Sequence, residues 1–264
     1  MRRPHYPPIV LRGVANLVRT MIGFPIIALA TIVLGLVIMV GEVVAPRSLL
    51  ADRMARLWSR IALQVAGVRY QIEGSDRVKT RTGYVVISNH IGNLDPMLNF
   101  LALPNARLRF MAKREVYKIP ILAQALHSMH MVKVDRSAGR EGFEEVNRQV
   151  GEVFERGLSL IVYAEGTRSR TSEMGPFKKG GFLLAIRHQA AVVPVTIIGT
   201  NQSWVPGEWL LRGGGKARAV VHEPIPTNGL TEADADALKQ KVRDIIESTY
   251  LRLQAEASAA ASAG

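Results

Sequence analysis

The chain has 264 residues, which is enough for one large domain. Its formal charge of +12 favours an anionic partner such as a membrane surface, an acidic carrier protein or a phosphorylated substrate. Only 6% of the residues are aromatic and no zinc-finger or RNP-like motif occurs, so we expect no nucleic-acid partner. The lack of cysteine excludes disulfides, thiolate metal ligands and a cysteine nucleophile, and it is compatible with a reducing cytosol.

The first apolar segment, residues 21–40, has no charged side chain over twenty positions. About 20 apolar residues are enough for a helix to cross the hydrocarbon core of a bilayer. Arginines lie on both sides of the segment, so the positive-inside rule gives no orientation. We predict membrane attachment, either as a span or, because Gly23, Pro25 and Gly35 interrupt the segment, as a re-entrant hairpin; the alternative is a buried core helix.

Residues 52–66 have the pattern of an amphipathic helix, with Gly67 as a plausible end. Their apolar side chains recur at helical spacing and their arginines lie off that stripe: Met54, Leu57, Trp58, Ile61 and Val65 against Arg53, Arg56 and Arg60. Two interpretations remain open. The helix either lies on anionic lipid or packs on the domain with a solvated basic face.

Strand-like and helix-like segments alternate from residue 68 onward. Strands are predicted over residues 69–73, 84–88, 109–112, 129–134, 158–163, 192–198 and 217–222, and helices over residues 96–103, 115–127, 140–156, 182–188 and 232–251. Because the strands are almost continuously apolar, we predict an α/β fold with a largely parallel or mixed β-sheet flanked by helices. The predicted organisation is N-terminal membrane-attachment helices over 1–66, the α/β domain over 67–252 and a disordered Ala/Ser-rich tail over 253–264.

The first candidate site follows the strand predicted over 84–88 and reads N-H-I-G-N-L-D over residues 89–95. A histidine beside a carboxylate can take a proton from a hydroxyl, because the carboxylate fixes the tautomer and stabilises the imidazolium. An isolated pair such as His90 and Asp95 is more often structural, with the carboxylate near the cap of a helix that Pro96 begins. Ser88 and Asn89 add polarity where a buried strand ends, which favours a catalytic role. No metal site is predicted.

The second candidate site, Glu165-Gly166-Thr167-Arg168, follows the strand predicted over 158–163 and is suited to an anion. Gly166 permits close backbone approach, Thr167 offers an N–H and a hydroxyl, and Arg168 has a planar fork that matches phosphate oxygens. The alternative is a surface turn with a solvated arginine.

Basic residues elsewhere extend the anion hypothesis. Two lysines at positions 178 and 179 precede a predicted helix start, which itself favours anions. Lys113 and Arg136 fall at the ends of two predicted strands and are further candidates to bind substrate.

Four ordered blocks resemble the glycerolipid acyltransferase family, specifically the 1-acyl-sn-glycerol-3-phosphate acyltransferases. They are N-H-x4-D over residues 89–95, V-K-V-D-R over 132–136, E-G-T-R-S over 165–169 and V-P-V over 193–195. The resemblance covers roughly residues 65–225. The chain departs from the family pattern at His130 and Lys133 in the second block and at Ala164 before the third.

The resemblance implies a glycerolphosphate acyltransferase-like fold and transfer of a fatty acyl group to the sn-2 hydroxyl of lysophosphatidic acid, which forms phosphatidic acid in phospholipid biosynthesis. It implies that His90 is the general base, that Asp95 orients it and that residues 165–168 help to bind the acceptor's phosphate. The implied donor is acyl-CoA or an acyl-carrier protein, with no other cofactor. We expect the protein at the cytoplasmic face of a membrane, the inner or plasma membrane, held by its N-terminal helical anchor.

Two alternatives to this activity remain. The nearer one is an acyltransferase of the same fold that acts on another lysophospholipid or on a lyso-aminolipid. The more distant one is a non-catalytic protein that uses its positive charge to bind anionic membranes.

Overall fold

A seven-stranded β-sheet forms the centre of the protein in the computed structural model, which describes residues 9–79, 83–135, 137–168 and 173–262. The strands are β1 (Arg69–Glu73), β2 (Val85–Ser88), β3 (Leu108–Lys113), β4 (Val132–Val134), β5 (Ser159–Tyr163), β6 (Val192–Ile198) and β7 (Lys216–Val221). Their spatial order is β1-β7-β6-β2-β5-β3-β4. The five strands from β6 to β4 are parallel, whereas β7 runs antiparallel to β6 and β1 parallel to β7. The predicted fold class is confirmed.

Helices cover both faces of the sheet, because alternate side chains of a strand point to opposite faces. The helices are α1 (Ile9–Val44), α2 (Leu50–Val65), α3 (Asp95–Ala102), α4 (Leu122–Ser128), α5 (Gly139–Glu155), α6 (Gly180–Arg187) and α7 (Ala235–Ser262). In β2, Val86 belongs to the core cluster that includes α2 and α3, whereas Val85 and Ile87 belong to the cluster that includes α6 and α7. All four residues of β2 are buried, as expected for a central parallel strand.

The helix predicted over 115–127 is divided in the structure. A 3₁₀ turn covers Arg114–Lys118, and α4 begins only at Leu122. The reason is Pro120, which lacks an N–H and disfavours the helical conformation in the residue before it. The strand predicted over 129–134 is correspondingly shorter, because the chain turns at His130, which has a left-handed φ of 55°.

The predicted disordered tail is wrong over residues 253–262. Helix α7 continues to Ser262, well beyond residue 251, where we predicted its end. The physical reason is composition: alanine has the highest helix propensity, and neither glycine nor proline interrupts this stretch.

The N-terminal apolar segment forms one continuous helix and not a hairpin. Among the described residues, α1 is the one helix long and apolar enough to cross a bilayer. It lies along the domain, with Gly23 against Val65 and Leu211, and Gly35 against the side chain of Ala125. The two glycines are therefore contact points that let the helix approach its neighbours closely.

Helix α2 packs between α1 and the domain, which supports the second interpretation of its amphipathic pattern. Its Trp58 donates a 2.9 Å hydrogen bond from Nε1 to Thr31 Oγ1 on α1. On its other side, Asp52 is buried and accepts hydrogen bonds from Arg107 and Arg109, at 2.8 and 2.7 Å. This ion-pair cluster ties the N-terminal helices to strand β3.

Candidate active site

Three adjacent parallel strands bring the candidate residues together at one edge of the sheet. Strand β2 lies between β6 and β5, so the loops that follow these three strands are neighbours. The loop after β2 carries His90 and Asp95, the loop after β5 carries Glu165 to Arg168, and the loop after β6 carries Thr200. The carboxyl edge of a parallel sheet is where ligands bind in open α/β folds.

His90 and Asp95 form the pair at the centre of this edge. The Nδ1 atom of His90 lies 2.7 Å from Asp95 Oδ2. The carboxylate is fully buried, whereas 17% of the histidine side chain is exposed. The bond to Nδ1 leaves Nε2 as the ring nitrogen that can meet a substrate. A carboxylate on one nitrogen fixes the tautomer in which the other nitrogen is a proton acceptor.

The carboxylate of Asp95 is itself held in place by several donors. Its Oδ2 accepts the main-chain N–H groups of Ile91 and Gly92 at 2.7 and 2.9 Å, and its Oδ1 accepts the hydroxyl of Thr200. The two N–H groups precede α3, so this carboxylate shapes the histidine loop rather than capping the helix. Gly92 is required for this arrangement, because a β-carbon there would lie 2.8 Å from Thr200 Oγ1.

The imidazole ring of His90 is stacked on the ring of Tyr163, the last residue of β5. The two ring centroids are 4.0 Å apart and the ring planes are inclined by 17°. The tyrosine hydroxyl accepts a 3.3 Å hydrogen bond from Asn99 Nδ2 on α3. Burial, together with the charge of Asp95, raises the pKa of Tyr163 well above its ordinary value, so it remains a neutral hydroxyl. The stack fixes the plane in which the histidine presents Nε2.

Glu165 makes contacts within the protein that the resemblance did not imply. Its carboxylate is turned inward and accepts the main-chain N–H groups of His90 and Gly175, at 2.8 and 2.9 Å. Burial raises the pKa of Glu165, and these two N–H groups oppose that shift. Glu165 therefore holds the backbone of the histidine loop through its bond to the His90 N–H.

The basic side chains of the second site do approach the first. Arg168 is exposed and donates from Nη1 to the side-chain oxygen of Asn93, within the histidine loop. Gly166 has a left-handed φ of 72°, and a β-carbon there would lie 2.8 Å from Lys178 Nζ. Lys178 therefore places a second positive charge beside the loop that follows β5, whereas Lys179 turns away to Asp236 at 2.9 Å. Thr167 is exposed next to Arg168.

Lys113, another predicted site residue, lies farther away. Lys113 is exposed at the carboxyl end of β3, on the same edge of the sheet. It is two strands from β2, which at about 4.8 Å a strand is a lateral distance of about 10 Å. Arg136 lies outside the described residues. Asn89, whose polarity we took as a sign of a catalytic role, has a structural role. Its side-chain amide donates to the carbonyl of Ile197 and accepts from the N–H of Ile197, both at 2.8 Å.

The sequence reasoning missed Thr200, Tyr163, Asn99 and Asn93. A signal existed for Thr200, because it lies directly after the strand predicted over 192–198, where the other site residues also lie. No comparable signal marked Asn99, which lies in the middle of a helix and reaches the site only through the packing of α3.

The comparisons with known proteins agree with one another. A family model described as Acyltransferase matches residues 69–198. A protein of Limnanthes douglasii named 1-acyl-sn-glycerol-3-phosphate acyltransferase is 30% identical over 193 residues, which cover 72% of this chain and 66% of the relative. A protein of the same name from Borreliella burgdorferi is 26% identical, over 73% of this chain and 76% of the relative.

A solved structure has the same fold. It is that of the 1-acyl-sn-glycerophosphate (LPA) acyltransferase PlsC from Thermotoga maritima, with a TM-score of 0.80 over 92% of this chain and 98% of that one, at 23% identity. At this identity the likeness establishes the fold alone. The chain spans between 46% and 66% of the length of the plant relatives that it matches.

Proposed function

This chain belongs to the acyltransferase family, and we propose that it transfers a fatty acyl group from an acyl thioester to the sn-2 hydroxyl of lysophosphatidic acid, which forms phosphatidic acid. The proposal rests on the observation that a base and cations lie together at one edge of the sheet. His90 is paired with Asp95, and Arg168 bonds Asn93 in the same loop. The shared name of the relatives supports this choice of acceptor.

The reaction needs one proton acceptor and no covalent enzyme intermediate. His90 Nε2 takes the proton of the acceptor hydroxyl while that oxygen attacks the thioester carbonyl carbon. The tetrahedral intermediate collapses, the carbon–sulfur bond breaks, and the proton passes from His90 to the leaving sulfur. Asp95 stabilises the imidazolium between these two transfers. The products are an ester and a free thiol.

The acceptor is positioned through its phosphate. Arg168, which bonds Asn93 in the histidine loop, and Lys178, which lies against Gly166, provide two cations at this edge of the sheet. Fixing the phosphate restricts where the sn-2 hydroxyl lies, and orienting a reactant against a base is itself a large contribution to rate. The donor in this proposal is acyl-CoA or an acyl-carrier protein.

The overall activity is tested by thiol release. Purified protein is given acyl-CoA with lysophosphatidic acid, an uncharged monoacylglycerol, a lyso-aminolipid or no acceptor, and the free thiol is measured over time. We expect release with lysophosphatidic acid at a rate far above the others. Faster release with the lyso-aminolipid would replace the proposed acceptor. The assay is repeated with an acyl-carrier-protein thioester, and no release from either donor with any acceptor would contradict the proposed enzymatic activity.

Arg168→Ala should weaken acceptor binding. A charge-assisted hydrogen bond contributes about 1.5–3 kcal/mol, so the KM for lysophosphatidic acid should rise about 10- to 100-fold with a smaller change in kcat. Monoacylglycerol has no phosphate, so the same substitution should leave its turnover nearly unchanged. The measurement is a pair of acceptor titrations at saturating acyl-CoA.

Arg140→Ala provides the matched control for Arg168→Ala, since Arg140 is an exposed arginine on α5. It should leave both titrations as in the wild type. An unchanged KM for lysophosphatidic acid in Arg168→Ala would remove this residue from the phosphate site.

Thr200→Val should lower kcat without changing either KM. The hydroxyl that it removes bonds Asp95 Oδ1 and contacts neither substrate in the proposed reaction. The loss of one hydrogen bond to a charged group corresponds to about a tenfold lower rate. Thr200→Ser keeps the hydroxyl and should restore most of the activity. A serine variant as slow as the valine variant would show that packing, and not this bond, is what matters.

The membrane is the location that the N-terminal helix supports. The exposed large hydrophobic side chains of α1 form an apolar stripe from Val14 to Val44. They are Val14, Leu17, Val18, Met21, Ile22, Ile26, Leu29, Ile32, Val33, Leu36, Val37, Val40, Val43 and Val44. An apolar surface of this extent needs a partner, and we propose that lipid covers it. The acceptor and product of the proposed reaction are lipids of the same bilayer.

A further inference from the structure

Two segments of the catalytic domain that contact α1 carry exposed hydrophobic side chains. From β1 onward, four large hydrophobic side chains of the described residues are exposed: Tyr70, Ile119, Trp209 and Leu251. Trp209 and Ile119 belong to loops that contact α1. Exposed tryptophan is unusual on a soluble surface and is enriched where protein meets the headgroup region of a bilayer.

The loop of residues 204–212, here named the tryptophan loop, is fastened to the first half of α1. Leu211 donates its main-chain N–H to Thr20 Oγ1 at 2.9 Å, and the Trp204 ring packs edge-on against Phe24 with centroids 5.5 Å apart. Trp209 lies two residues before Leu211 and is 59% exposed. Trp209 therefore lies on a segment that contacts α1 on both sides of it in sequence, at Trp204 and at Leu211.

The tryptophan loop carries one carboxylate, and that carboxylate is paired. Arg212 Nη2 lies 2.6 Å from both oxygens of Glu208. Taking an unpaired carboxylate to an anionic lipid surface would be unfavourable, whereas a neutralised pair next to an indole ring is compatible with the headgroup region. The loop is thus chemically suited to lipid.

The second segment, Ile119-Pro120-Ile121, contacts α1 farther along. The side chain of Ile121 lies against Gly35 of α1, and Ile119 is 52% exposed. Lys118, its neighbour, is exposed and adds positive charge where anionic headgroups would lie. The contacts of the two segments on α1 are separated by 11–15 residues of helix, which is about 20 Å.

We propose that the tryptophan loop and the Ile119 segment dock on the same anionic bilayer as α1, as two additional contacts. This inference rests on the proposed membrane attachment of α1, but not on the reaction. Contacts made by loops beside the helix, in addition to those of α1 itself, restrict rotation of the domain about the helix axis. They fix the direction in which the carboxyl edge of the sheet, with its active site, faces the lipid.

The chain contains no cysteine, so single cysteines can be labelled without background. Trp209→Cys, Ile119→Cys and Leu251→Cys are each labelled with a polarity-sensitive fluorophore and mixed with phosphatidylcholine–phosphatidylglycerol vesicles. Leu251 is the matched control, because it is also 59% exposed but lies on α7, which packs on β6 and α6. We expect several-fold brighter, blue-shifted emission at positions 209 and 119, quenched by spin-labelled lipid, and no change at 251.

Emission at position 209 that stays like that at 251 overturns the docking, and so does an equal response at all three positions, which would show adsorption without a defined face. Sedimentation of the wild-type protein with the vesicles is measured in parallel. A protein that stays in the supernatant overturns both the α1 anchor and the docking, whereas thiol release with soluble substrates still tests the reaction separately.

A functional measurement completes the test. Trp209→Ser should lower the rate on lysophosphatidic acid embedded in vesicles several-fold, and it should leave the rate on a short-chain, water-soluble analogue unchanged. An equal loss of rate with both acceptors would indicate a folding defect and would contradict a docking role. A Trp209→Ser variant as fast as the wild type on both acceptors would also contradict it.

Discussion

His90→Ala is expected to lower kcat by roughly 10²–10⁴-fold, because it removes the group that accepts the proton of the attacking hydroxyl. The fold should survive the substitution. The backbone N–H of residue 90, which bonds Glu165 at 2.8 Å, remains, and Asp95 keeps its bonds from Ile91, Gly92 and Thr200. The measurement is thiol release at saturating acyl-CoA and lysophosphatidic acid, with unfolding curves to verify stability.

His127→Ala is the control for His90→Ala, since His127 is an exposed histidine on α4 that faces Tyr117 and not the site. It should leave turnover unchanged. Acceptor binding should also be almost unaffected in His90→Ala, because the phosphate contacts are made by other residues. Turnover like that of the wild type in a folded His90→Ala protein would contradict the proposed mechanism.

Much of the fold was predictable because strands and helices are signalled locally. Strand β6 is buried at every position and apolar at every position except Thr196, and its bounds agree with the prediction. The failures have local causes as well. Pro120 divides a predicted helix, and the Ala-rich tail continues one. The position of α1 was not predictable, since an apolar run indicates the surroundings of a helix but not the neighbours on which its glycines pack.

The site was predictable where its residues are close in sequence, and unpredictable where the sheet brings them together. His90 and Asp95 share one loop, so their contact could be inferred from spacing. Thr200 reaches Asp95 only because β6 lies beside β2, and strand order is not written in the spacing of the motifs. The inward turn of Glu165 depends on Gly175, from yet another segment. A motif thus indicates which residues matter before it indicates what each one contacts.

Asp95→Asn is expected to lower kcat by roughly 10²–10⁴-fold by removing the charge that stabilises the imidazolium. The shape of the side chain is conserved, and an amide oxygen in the place of Oδ2 would still accept the N–H groups of Ile91 and Gly92. The opposite orientation would direct an NH₂ group at those two donors. It would destabilise the fold by about 1–3 kcal/mol for each buried group left without a hydrogen bond. The amide therefore keeps the histidine loop but cannot carry the negative charge.

A double-mutant cycle separates this role from a merely structural one. If Asp95 acts through His90, then Asp95→Asn should cost little in a protein that already carries His90→Ala, because the group that it assists is absent. The four proteins are compared by thiol release under identical conditions. Losses that multiply in the double variant would mean that Asp95 contributes independently of His90, for example by holding the loop near Thr200. The pairing of base and carboxylate would then be a property of the fold and not of the mechanism.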